Sequence, residues 1–67
     1  MTEMMKVWLK RLYLNGANDH LEIAKHEHLC ALGSRSDEIA TIHEMSADEH
    51  RVFANILKSM AKEIEEE

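Results

Sequence analysis

DEIATIHEMSADEHRVFANILKSMAKEI, residues 37–64, reads as one long amphipathic helix. Ile39, His43, Ser46, His50, Phe53, Leu57, Met60 and Ile64 follow each other at alternating steps of four and three. That spacing holds side chains on one line of a helix, the seam along which it packs against another helix. Beside the seam run Ala40, Ala47, Ala54 and Ala61, one every seventh residue, small enough to let a neighbouring backbone come close. Ser46 with Glu49 has the form of a capping box, yet the seam passes through position 46 without losing phase.

Just upstream, Gly33 and Ser34-Arg35-Ser36 turn the chain. Ser36 is placed to cap the long helix, with Asp37 and Glu38 in its positive first turn. The first half starts at a second capping residue, Thr2, and runs through Val7, Trp8, Leu9, Leu12 and Leu14 to Asn15-Gly16. Gly16 can end a helix, and Asp19 with Glu22 can start the next. Against that break stands a register. If the chain folds back at 34–36 so that facing numbers add to 71, Ala17 meets Ala54, Ala24 meets Ala47 and Ala31 meets Ala40. Val7, Leu14, Leu21 and His28 cross Gly16 in phase and face Ile64, Leu57, His50 and His43. A helix of about 28 residues is about 42 Å long and needs a partner of similar length.

The expected fold is therefore all-α: one domain, residues 1–67, an antiparallel hairpin of two long helices, 2–32 and 37–65, with a turn at 33–36. The first helix is kinked or broken at 15–18 if local preference wins there, and a full turn at Gly16 would give a three-helix bundle instead. A second apolar stripe, Met1, Met5, Trp8, Leu12, Ile23 and Cys30, lies opposite Leu14 and Leu21, and Ile42, Val52 and Ile56 lie outside the long helix's seam. A hairpin cannot bury both stripes, and self-association into a four-helix bundle is the simplest cover. Met5, Trp8, Leu12, Ile23 and Cys30 are the expected interface residues.

Sixty-seven residues leave little core, and chains this short usually need a staple, a metal or a partner. One cysteine excludes an internal disulfide, and the absence of a signal-like apolar run points to a reducing cytoplasm. No apolar stretch approaches a membrane span. A net charge of −5 argues against direct nucleic-acid binding. The charge is uneven: Lys6, Lys10 and Arg11 attract Glu63, Glu65, Glu66 and Glu67 if the two ends lie side by side.

Five histidines, a cysteine and many carboxylates raise metal chemistry. A site on one helix needs ligands three or four apart, and Glu22/His26 and His26/Cys30 are the pairs with that spacing. No Glu-x-x-His occurs, and His43 and His50 stand about 10 Å apart along the axis, too far for one ion. His26, Cys30, His28 and His43 are thus weak metal candidates, and no cofactor is expected. On the seam, His28, His43 and His50 read as neutral hydrogen-bonded residues that fix register. Cys30 with His26 lacks the orienting group, oxyanion hole and cleft of a nucleophilic site.

The function expected is non-enzymatic: a small acidic protein that dimerises and binds an unidentified protein, in a regulatory or adaptor-like role. Two other readings are an acidic mimic of DNA that blocks a nucleic-acid-binding protein, as some phage inhibitors do, and a histidine-based metal-binding bundle. Glu22, Glu27, Glu38, Glu44, Asp48 and Glu49 would form the mimic's charge array.

Overall fold

The computed structural model describes residues 1–66, in which two helices pack as an antiparallel hairpin: α1, Glu3–Leu32, and α2, Asp37–Glu66. Thr2 Oγ1 accepts the Met5 amide at 3.1 Å and caps α1, while Ser36 Oγ accepts the Ile39 amide at 3.4 Å and caps α2. α1 closes on Gly33, whose amide bonds the Leu29 carbonyl, and Ser34 adds a bond to Ala31. Ser34 Oγ then bonds the backbone of Ser36, which holds the short connection.

α1 runs unbroken through Asn15-Gly16. Gly16 lowers helix stability by about 1 kcal/mol relative to alanine, but Ala17 beside it is fully buried against α2. A Cβ at Gly16 would stand 3.2 Å from Leu57 Cδ1, so the missing side chain is room that Leu57 uses. Packing overrides the local stop. Neither Asp19–Glu22 nor Ser46–Glu49 starts a helix.

The contact line of the hairpin is made of alanine. Ala17, Ala24 and Ala31 of α1 and Ala47, Ala54 and Ala61 of α2 are buried, joined by Ile64, and no large side chain is fully enclosed. The long-range contacts Glu27–His43, His20–His50, His28–Glu44 and Gly16–Leu57 join residues whose numbers add to 70–73, which brackets the expected register. The centre of the seam differs from the expectation. Ile39, Phe53 and Met60, placed in it by spacing, are exposed, and the alanine row beside them takes the middle. Small side chains let the helix axes approach, and the line of closest approach falls where they are smallest. His43, His50, Leu57 and Ile64 flank that line on one side; Glu44, Arg51, Lys58 and Glu65 flank it on the other.

Lys10 and Glu65 form an ion pair across the open end of the hairpin, as expected of its basic and acidic ends; Glu67, named in the same expectation, lies outside the described residues. No helix is long and apolar enough to cross a membrane among the described residues.

Candidate interaction face

Once the alanine rows point at each other, the rest of each helix surface is placed by the seven-residue repeat. On the side marked by the His20–His50 contact, α1 presents the rows Leu9, Gly16, Ile23, Cys30 and Met5, Leu12, Asp19, His26. α2 presents Ile39, Ser46, Phe53, Met60 and, further out, Ile42, Glu49, Ile56, Glu63. The opposite side, marked by His28–Glu44, carries Thr41, Glu44, Asp48, Arg51, Asn55, Lys58, Lys62 and Glu65 from the two α2 rows nearer the contact and, as far out as Ile42 and Ile56 on the first side, Met45 and Val52. Further out α1 carries the exposed Met4 and Leu32 there, and nearer the contact it adds Val7, Leu14 and Leu21. In the register of His28–Glu44 these last two come opposite Lys58 and Arg51, whose aliphatic stems can cover them.

The first side is therefore an open apolar face running the length of a molecule 52 Å long. Ile39, Phe53 and Ile56 are 51%, 45% and 50% exposed, and Met5, Leu12 and Ile23 are exposed across from them. Leu9 and Cys30 are half-buried. Trp8 is exposed at the outer edge, three residues from Met5 and four from Leu12, so it borders the face rather than lying in it. Asp19, His26, Glu49 and Glu63 give the face a polar margin, the arrangement of an apolar centre and polar rim found in protein interfaces.

Of the residues expected at an interface, Met5, Leu12, Ile23 and Cys30 share this face and Trp8 stands at its border. Of the α2 half, Ile42 and Ile56 stand outside the seam by spacing alone, whereas Ile39, Phe53 and Met60 carry a seam's spacing and read as the hairpin's own contact. The available signal was the alanine row: residues one place before an alanine lie about 100° round the helix from it.

Histidines occupy the middle of the structure. His20 Nδ1 and His50 Nδ1 lie 2.8 Å apart, so one imidazole donates its N–H and the other accepts. Phe53 packs beside them with its ring tilted to both, its centroid 5.4 Å from His20 and 6.5 Å from His50. Nearer the turn, two histidine–glutamate contacts cross between the helices. His43 Nδ1 bonds Glu27 Oε2 at 2.5 Å on the apolar side, and His28 Nδ1 bonds Glu44 Oε1 at 2.6 Å on the charged side. The expected facing of His28 with His43 and of His50 with Leu21 is thereby corrected. Each imidazole takes a polar partner one place off the 71 register, because two unpaired polar rings against apolar neighbours would forgo these bonds.

Among the described residues no group of three or more histidine, cysteine, aspartate or glutamate side chains is placed to hold a metal ion. His28 and His43 are engaged by carboxylates, while His26 lies in the outer row and Cys30 in the row nearer α2. Glu27 and Glu44, two of the six carboxylates of the charge array, turn to histidines across the hairpin. No protein family, curated protein or solved structure matches this chain.

Proposed function

We propose that the protein works as a non-enzymatic binding module: it self-associates through the apolar face into a four-helix bundle and, as that bundle, binds another protein in a regulatory or adaptor-like role in the cytoplasm. One observation carries this reading. The buried side chains of the hairpin's contact are six alanines and Ile64, with Leu57 part-buried over Gly16, while most of the larger apolar side chains are exposed. Burying one methylene-sized group is worth about 0.8 kcal/mol, whereas a full Leu, Ile or Phe side chain is worth about 1.5–3 kcal/mol. The side chains able to stabilise a chain of this size are the ones on the open face, so fold and association are one process. Leu29 on the outer back of α1 and Met45 with Val52 on the outer back of α2 are exposed outside this face, and Met45 and Val52 offer the bundle a further apolar patch for a different protein.

Sedimentation equilibrium combined with thermal unfolding tests it. The expected result is a dimer at micromolar concentration whose Tm rises with protein concentration. A compact, folded monomer at high micromolar concentration, with one Tm at every concentration, would overturn it.

A further inference from the structure

We infer that the occupant of the apolar face is a second copy of this chain lying antiparallel, its turn against the first copy's open end, with the two-fold axis crossing at the His20–His50 pair. This rests on the reading that the face self-associates, and it specifies the partner and the geometry.

Size favours a second copy. A face 52 Å long and two helix diameters wide, about 20 Å, offers about 1,000 Å², more than the about 800 Å² that each partner contributes to a standard interface. A hairpin of the same length covers the whole of it. The central rows also complement themselves on reversal. Turned about a point between residues 19 and 20, the α1 row sets Gly16 against Ile23 and Leu9 against Cys30 of the other copy. Turned about a point between 49 and 50, the α2 row sets Ser46 against Phe53 and Ile39 against Met60. Small meets large at the centre of both rows, and both centres adjoin the two histidines that touch at 2.8 Å. In the 71 register the two centres stand about two residues, or about 3 Å, out of level, so one axis perpendicular to the helices at the His20–His50 pair passes within about 1.5 Å of each.

A parallel pair would also match small with large, so charge chooses between the two. Residues 18–53, the turn half, hold eight carboxylates against Lys25, Arg35 and Arg51, which is the entire net charge of −5. Residues 1–17 and 54–67 hold five of each sign. On the face itself the turn half holds Asp19, Glu27 and Glu49 and no lysine or arginine, so a parallel dimer would set three carboxylates of one copy over three of the other, with repulsion acting within the Debye length of about 8 Å at physiological salt. The antiparallel dimer sets each charged half on a neutral one.

Oxidative crosslinking tests the geometry. In Leu9→Cys the introduced thiol and Cys30 lie 21 residues apart on one helix, about 30 Å, so they can bridge only between chains. Oxidation is expected to turn most of this variant into covalent dimer, with the bridge mapped to positions 9 and 30, and to give no such selectivity in urea. Ile39→Cys/Met60→Cys in a Cys30→Ser background gives the same result on α2 and guards against a variant that fails to fold. Leu9→Cys/Met60→Cys/Cys30→Ser, the signature of a parallel pair, should yield no covalent dimer. If that third variant crosslinks between chains and the first two do not, the antiparallel geometry is wrong while self-association stands. A sedimenting dimer that none of the three traps also overturns the geometry. A folded monomer in solution overturns both readings and leaves the face to a different protein.

Discussion

The two long sides of this hairpin are built from the same helices and the same seven-residue repeat, and they could hardly differ more. One side shows Leu9, Ile23, Ile39, Phe53 and Met60 next to the contact; on the other, the α2 rows next to the contact hold only threonine, asparagine and charged residues, with Met45 and Val52 further out. The alanine contact between them is neutral to the distinction, since a methyl group needs little from either flank. The difference teaches where the stabilising apolar area of this chain resides. Little of it lies in the hairpin's own thin interior, and the helix rows beside the contact carry much more of it on the His20–His50 side than on the His28–Glu44 side. Each prediction below strikes one side or the line between them.

The largest expected effect is a matched pair of charges. Phe53→Glu places a carboxylate in the centre of the apolar face beside His20 and His50 and should abolish the dimer and with it the cooperative fold, since losing a buried phenylalanine alone costs about 3–5 kcal/mol. Asn55→Glu, two residues on and on the charged side, should leave stability within about 0.5 kcal/mol. Circular-dichroism melts of both variants at equal concentration check the contrast. Equal losses would show that the sides do not differ in kind.

Next in size is the line itself. Ala47→Leu inserts a large side chain where Ala47 is fully buried against α1 and should cost about 1–3 kcal/mol by forcing the helices apart. The same exchange at Thr41, on the exposed charged side, should change stability by less than about 0.5 kcal/mol. Urea unfolding at fixed protein concentration measures both. A tolerated Ala47→Leu would mean that the helices are not held at the separation alanine allows.

These contrasts also mark what the amino-acid pattern could reveal. The hairpin and its register were legible because Ala17, Ala24, Ala31 and Ala40, Ala47, Ala54 keep a strict seven-residue step on both helices, and only one fold-back aligns them. Continuity at Gly16 was open, because a glycine's local preference is about 1 kcal/mol and the Leu57 side chain that uses its space is 41 residues away. The centre of the seam was misread for a different reason. A four-three spacing of large residues marks a helix that packs on something, and it is the same whether that something is the chain's own other helix or another copy. Ile39, Phe53 and Met60 therefore looked intramolecular. The α1 part of the face was legible because Met5, Leu12, Ile23 and Cys30 had no partner left in the hairpin. The crossed histidine–glutamate contacts were not legible, since they depend on which flank of the alanine line each side chain reaches.

Those crossed contacts give a third and subtler comparison, because the same chemistry occurs on both sides. Glu27 is 24% exposed on the apolar side and Glu44 is 41% exposed on the charged side. Glu27→Gln should cost about 1 kcal/mol, in the ordinary range for a part-buried hydrogen bond, and Glu44→Gln about half as much. The gap should widen with protein concentration, since dimerisation covers only the first. Melts at low and high concentration read it. A gap independent of concentration would place both pairs outside the interface.

The smallest expected effect is at Arg51, and its smallness is the point. Arg51 Nη1 lies 2.6 Å from Asp48 Oδ1, one turn earlier on α2, in a geometry that invites a strong ion pair. The two side chains are nevertheless 44% and 73% exposed, in α2 rows next to the contact that hold no apolar companion. Water screens such a pair, holding two flexible side chains together costs entropy, and three-apart pairs on helix surfaces are worth about 0.2–0.5 kcal/mol. Arg51→Ala should therefore shift stability by less than about 0.5 kcal/mol, plus whatever its stem contributes over Leu21, and added salt should remove the electrostatic part. Unfolding curves at low and high salt separate the two contributions. A salt-resistant loss above about 1 kcal/mol would mean that Arg51 is covered in solution, that the charged side also meets a partner, and that the hairpin assembles through both of its sides.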